Sequence, residues 1–199
     1  MTAPRVLGGL GGLALFALIA TLFVSAVRQL DHDVQAGTTD GHTGAQPPVA
    51  AAVPMDAEAA IVDRVVDGDT VRVIADPRGS IPGGGSIRVR LLNIDAPELA
   101  RDDRPAECGA RDAVAHMLEL VAPGDVVWLV ADEDDRDDFD RPLRGMWTDD
   151  GVFVNEAMAA AGWARDVVFA PNDRFFDVVA QAAATARADG RGMWEKCAG

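Results

Sequence analysis

Three acidic and basic clusters hold the residues able to do chemistry. Asp67-Gly68-Asp69-Thr70 places two carboxylates one residue apart on a turn. Arg90-Leu91-Leu92-Asn93-Ile94-Asp95-Ala96-Pro97-Glu98 delivers Arg90 along a strand, then Asp95 and Glu98 at its end. Asp137-Asp138-Phe139-Asp140-Arg141 puts a second arginine behind an acidic loop. Carboxylates with a backbone carbonyl suit a hard, oxygen-loving cation such as Ca²⁺. A further carboxylate beside such an ion can take a proton from water. Two guanidiniums can fork onto phosphate oxygens and stabilise charge that grows in a five-coordinate transition state. Together, such groups are of the kinds that metal-assisted phosphodiester hydrolysis needs. Taken singly, each cluster has a plainer reading: a hairpin turn, a polar strand end and a solvated acidic loop.

The elements needed to position these clusters are legible from alternation and turn signals. Strands are expected at Ala60–Val66, Thr70–Ile74, Ile87–Ile94, Val126–Val130 and Leu143–Trp147. The Gly- and Pro-rich segment Asp76–Ser86 reads as a loop. Helices are expected at Ala106–Val121, with Ala110, Val114, Met117, Leu118 and Val121 on one face, at Val154–Ala161 closed by Gly162, and at Asn172–Ala188 after Pro171. Five short strands with helices inserted and appended predict a small closed β-barrel with α-helices.

The ordered set of motifs resembles the thermonuclease, or staphylococcal nuclease, family. The resemblance spans about Ile61 to Trp194. It carries DGDT, R-x4-D-x-P-E and D-x-F-x-R, then Val154-Asn155-Glu156-Ala157, Gly162, Pro171-Asn172 and Gly192-Met193-Trp194. It implies a mainly β OB-fold, a five-stranded barrel with three helices. It also implies a Ca²⁺-dependent endonuclease, largely sequence-nonspecific, that hydrolyses DNA and/or RNA to 3′-phosphate ends. By the same resemblance, Asp69 and Asp95 would ligate Ca²⁺ with the backbone carbonyl of Ala96, and Asp67 would sit just behind them. Glu98 would orient and deprotonate the attacking water. Arg90 and Arg141 would hold the phosphate.

The departures from the family pattern bear on substrate capture. Many members hold substrate with tyrosines, and this chain has none. Phe139 stands where one is expected, and Arg165–Phe169 replaces a Tyr-bearing stretch. Stacking can persist on Phe139 or Phe169, but phenol hydrogen bonds to phosphate cannot. Ala96 replaces a common Thr. Two other readings use the same residues: a non-catalytic binding module on the same barrel, and a surface protein that binds calcium only, through Asp132–Asp140.

Ahead of this domain, Val6–Val27 is an uncharged apolar run with Arg5 before it and Arg28 after it. It is long enough to cross a bilayer as a signal anchor, since a span needs about 20 residues. Val24-Ser25-Ala26 offers a signal-peptidase site as the alternative. The expected organisation is residues 1–28 as anchor or signal, 29–58 as a flexible linker containing His32 and His42, and 59–199 as the nuclease-like domain. The domain is expected outside the cytoplasm, membrane-anchored or secreted, as a monomer with nucleic acid as its partner. That location favours a Cys108–Cys197 disulfide over two unpaired thiols. Trp128, Trp147, Trp163 and Trp194 read as core or barrel-rim residues, and His116 as the partly buried edge of a helix.

The chain's 199 residues suffice for one domain plus appendages. At 49% apolar residues, it is not a wholly disordered chain. Its 32 acidic and 18 basic residues give a formal net charge of −14. That charge excludes tight, metal-free electrostatic binding of nucleic acid. It predicts weak substrate capture with strong dependence on metal and salt.

Overall fold

The structure, a computed structural model, describes residues 52–81 and 85–198. The apolar run Val6–Val27 and most of the linker segment lie outside the described residues. Among the described residues, no helix is long and apolar enough to cross a membrane.

In chain order the elements are β1 (Glu58–Val65), β2 (Thr70–Ala75), β3 (Ser86–Leu91), β4 (Ile94–Asp95), α1 (Ala110–Leu120), β5 (Val126–Val130), β6 (Leu143–Thr148), α2 (Val154–Ala160), β7 (Arg165–Asp166), α3 (Phe176–Ala188) and α4 (Met193–Lys196). Five strands close a barrel in the order β1-β2-β3-β6-β5. Neighbours are antiparallel except β3 and β6, which meet in parallel through Arg90–Leu143 and Leu91–Arg144. Alternation builds this barrel. Val71, Val73 and Ala75 point inward and are buried, while Ile74 faces out. Val62, Val89, Leu91, Val127, Leu129 and Met146 complete the interior. Each fully buried side chain of this size stabilises the fold by roughly 1.5–3 kcal/mol.

The third strand is shorter than alternation predicts. It stops at Leu91, because Asn93 adopts a left-handed conformation (φ 60°). Asn tolerates that region better than most residues. Its amide is held by the carbonyls of Asn172 (3.0 Å) and Val167 (3.3 Å). The chain then re-enters as β4, which pairs with β7 through Ile94–Asp166 and Asp95–Arg165. The apolar run Leu91-Leu92-Asn93-Ile94 conceals this break, since all four residues are buried.

Two of the three expected helices start later than expected, while α2 begins at Val154 as expected. α1 begins at Ala110, because Gly109 has φ 85° and interrupts any earlier turn. Its buried face is Ala110, Ala113 and Met117. Leu118, expected inside, is 44% exposed. α3 begins at Phe176. Asn172 is buried ahead of it, and its side chain bonds the backbone N–H (2.8 Å) and carbonyl (3.2 Å) of Asp134. The single turn α4 was not anticipated. Cys197, just after it, is disulfide-bonded to Cys108, with Cα atoms 5.9 Å apart. Trp147 is buried and stacks on Phe153 (centroids 4.2 Å apart). His116 meets Glu119 at 3.0 Å on the outer side of α1.

Gly162 has φ 78°, and a Cβ there would lie 2.2 Å from the Arg191 carbonyl oxygen. Backbone cannot yield as a flexible side-chain tip can. Gly162→Ala is therefore expected to lower stability by about 1–3 kcal/mol, the usual range for overpacking. Urea unfolding checks this, and an unchanged midpoint contradicts it.

Candidate active site

The first acidic cluster forms the β1–β2 turn. Val66 and Asp67 both donate their N–H groups to the Thr70 carbonyl. Gly68 is required by packing: a Cβ there would fall 2.6 Å from the Ala96 Cβ and 2.9 Å from that of Ala113. The Asp69 carbonyl accepts from Leu91 N–H at 2.9 Å, which ties the turn to β3. Asp67 and Asp69 are both buried.

Asp69 is the hub of the cluster. Its carboxylate accepts from Thr70 Oγ1 (3.1 Å) and Ala96 N–H (2.9 Å), and Arg90 Nη2 lies 3.1 Å away. Burial pushes its carboxyl up to about 7. The Arg90 guanidinium opposes this shift, and the nearby Asp67 carboxylate adds to it. Arg90 is itself buried. Its Nη1 donates to the carbonyls of Leu91 (2.7 Å) and Ile94 (2.8 Å), and its Nη2 lies 3.7 Å from Asp95 Oδ1. Phe169 covers it, with the ring centroid 5.1 Å from Cζ. The break at Asn93 thus serves the site, since it turns the Ile94 carbonyl and Asp95 toward Arg90.

Glu98 sits on an irregular segment after β4, half exposed. Its Oε2 lies 3.1 Å from Arg101 Nη2, which also contacts Asp67 Oδ2 at 2.7 Å. Arg101 therefore bridges the first and second clusters. Glu107 holds the Glu98 backbone from both sides: Glu98 N–H donates to Glu107 Oε2 (3.2 Å), and Glu107 N–H donates to the Glu98 carbonyl (2.9 Å). A cavity of about 240 Å³ lies here, lined by Glu98, Leu99, Arg101, Arg104, Pro105 and Glu107.

The Arg141 side chain is paired within its own loop. Its Nε donates to Asp137 Oδ2 (2.6 Å), and its backbone N–H donates to Asp137 Oδ1 (2.9 Å). Burial raises the Asp137 carboxyl, but those donors, the Phe139 N–H and the Arg141 charge override it and hold it below its ordinary value. Phe139 is 79% exposed, with its ring centroid 5.5 Å from the Arg141 guanidinium. The loop still ends at the right place on the barrel. The carbonyl of Pro142, next to Arg141, accepts from Arg90 N–H at 2.9 Å. The structure brings Asp67, Asp69, Arg90, Asp95, Ala96 and Glu98 together, while the Arg141 side chain pairs with Asp137. Sequence reasoning missed Arg101 and Glu107. Their positions three and nine residues after Glu98 match no motif, and only the folded segment between them reveals their contacts.

The donor chemistry fits a hard divalent cation. Asp69, Asp95 and the Ala96 carbonyl are all oxygen donors. Asp69 is buried beyond what Arg90 compensates, so added positive charge beside it stabilises its anionic form. Among the described residues, no three His, Cys, Asp or Glu side chains form a ready-made cage. An ion here would draw on two carboxylates, a carbonyl and water.

A five-stranded barrel with helices and an acidic, arginine-bearing rim is the architecture in which family comparison becomes informative. The family model described as staphylococcal nuclease homologue matches residues 88–196. The chain belongs to this family, and its barrel is of the OB type. Asp67–Thr70 lies ahead of the matched stretch. The chain is 30% identical over 139 residues to a thermonuclease of Staphylococcus intermedius, covering 70% of this chain and 77% of that one. It is 30% identical over 136 residues to endonuclease YncB of Bacillus subtilis (strain 168), covering 68% of this chain and 61% of that protein. It is 28% identical over 144 residues to endonuclease YhcR of the same organism, covering 68% of this chain and only 11% of that much longer one.

Proposed function

We propose that this chain is a calcium-dependent nuclease that acts outside the cytoplasm and hydrolyses DNA and/or RNA phosphodiester bonds to 3′-phosphate ends. The observation that carries this reading is the convergence of Asp69, Arg90, Asp95 and Glu98 at one end of the barrel, with Arg101 joining Glu98 to Asp67. The nuclease names of the relatives and the disulfide, which suits an oxidising compartment, support it.

Asp69, Asp95 and the Ala96 carbonyl would hold Ca²⁺. When bound, the ion polarises a phosphoryl oxygen and offsets the negative charge that a nucleophile must approach. Glu98, half exposed, takes the proton from the attacking water. The water oxygen bonds to phosphorus as the bond to the 5′-oxygen breaks, which leaves a 3′-phosphate and, after proton uptake, a 5′-hydroxyl. Arg90 holds Asp69 and faces the same region, so it steadies both the ion's ligand and the growing charge. Arg141 reaches the phosphate once its guanidinium turns from Asp137.

Calorimetric titration of calcium into the protein tests the metal assignment. The expected dissociation constant lies at about 10⁻⁴–10⁻³ M, typical of weak extracellular sites. Asp95→Asn is expected to weaken binding at least about tenfold, since ligand charge sets affinity in such sites. The paired change Glu133→Gln with Asp138→Asn is expected to leave it unchanged. The reverse pattern would place calcium in the acidic loop and contradict the assignment.

A further inference from the structure

A row of arginines crosses the outer face of the barrel beside the site. A register irregularity between Val62 and Arg64 sets Arg64 opposite Arg72 on β2. Arg72 in turn stands opposite Arg88 on β3. Val71, Val73 and Val89 take the inward positions, so Arg72 and Arg88 project outward. The next pair on that face toward the site is Thr70 opposite Arg90, both of them buried. Arg88 and Arg90 are therefore one pleat period apart, about 6–7 Å.

Like charges placed directly opposite on neighbouring strands destabilise a sheet. Here that happens twice in succession, in a chain with 32 acidic residues available to relieve it. Relief is partial. Asp63 Oδ2 lies 3.4 Å from Arg64 Nη1 and 3.9 Å from Arg72 Nε, and it also accepts from Ser86 Oγ. Arg72 is further tied to Ser86 through its Nε (2.8 Å). One carboxylate thus meets two of the three guanidiniums, those of Arg64 and Arg72. Arg64 is well exposed, with 59% of its side chain accessible, and Arg88 is exposed as well.

We infer that Arg64, Arg72 and Arg88 form a phosphate-binding track that carries one strand of nucleic acid away from the cleavage site. Guanidiniums fork onto phosphate oxygens, and a row leading outward from Arg90 meets successive phosphates of a single strand. The track deepens the nuclease reading and rests on it for its substrate. It supplies the local basic footprint that the net charge of −14 hides.

The test is fluorescence anisotropy of a labelled single-stranded oligonucleotide with the full-length protein in neutral detergent and calcium. A Glu98→Gln parent keeps the strand intact. Adding Arg64→Ala and Arg88→Ala is expected to weaken binding. It is also expected to flatten the plot of log affinity against log salt by about 1.4, since each single-strand phosphate contact contributes about 0.7. Arg78→Ala, an exposed arginine away from the row, is expected to leave that slope unchanged. An unchanged slope in the double variant, an equal change in Arg78→Ala, or no measurable binding by the parent overturns the track. The nuclease reading fails separately, if the protein with Glu98 intact cleaves nothing while the track effect is present.

Discussion

Glu98→Gln is expected to lower kcat by about 10²–10⁴-fold, the usual contribution of a positioned general base. The amide keeps the size of the side chain but cannot take a proton at neutral pH. The fold should be unaffected, because Glu98 is half exposed and Arg101 keeps its shorter contact to Asp67 at 2.7 Å. The Glu98 backbone also stays held by Glu107. Steady-state cleavage kinetics, paired with a thermal melt, check both halves. A kcat within a few-fold of the parent, with the melt unchanged, contradicts the role of Glu98.

Arg90→Leu is expected to destabilise the fold by about 3–5 kcal/mol, because removing one member of a buried ion pair strands the other charge. Asp69, only 4% exposed, would lose its counterion while Asp67 remains beside it. The carbonyls of Leu91 and Ile94 would lose their donors as well. The loss has a defined pH dependence. The Asp69 carboxyl is already raised from 3.8 to about 7, so the protonated form favours the fold. That contribution is complete below about 4 and is lost as pH rises through about 7. Arg90 lowers the Asp69 value, so its removal raises it further. The destabilisation should then be greatest above pH 7, where Asp69 must carry charge, and should shrink as the solution is acidified. Urea unfolding on either side of neutrality checks this. A change under about 1 kcal/mol, or a loss that grows toward acid, contradicts the account of Asp69 and Arg90 as a buried pair.

The barrel was legible where strands alternate, most clearly in β2: Val71 and Val73 against Arg72 and Ile74 is enough to place it. The candidate site residues were legible because DGDT, R-x4-D-x-P-E and D-x-F-x-R together resemble the family's motifs. What alternation could not reveal was the interruption at Asn93, since Leu92, Asn93 and Ile94 are all buried and read as continuous strand. The delayed start of α1 had a visible signal in Gly109, but the apolar pattern that follows it, from Ala110 to Val121, was extended back across it to Ala106. Arg101 was invisible for a different reason. It acts across 34 residues on Asp67, and its contact depends on how an irregular segment folds back. Arg141 was found by motif, yet its pairing with Asp137 emerges only from the loop's own hydrogen bonds. The absence of tyrosine was plain in composition, and Phe139, almost fully exposed beside Arg141, is the aromatic that remains there.

The cluster at the barrel end is the centre of the account, and one measurement tests it most directly. The purified protein is incubated with a 5′-labelled single-stranded substrate in millimolar calcium or in excess chelator, and the product ends are analysed. The account predicts cleavage with calcium, none with chelator, and 3′-phosphate ends. Intact substrate at high protein concentration with calcium present, or equal cleavage in chelator, would contradict it.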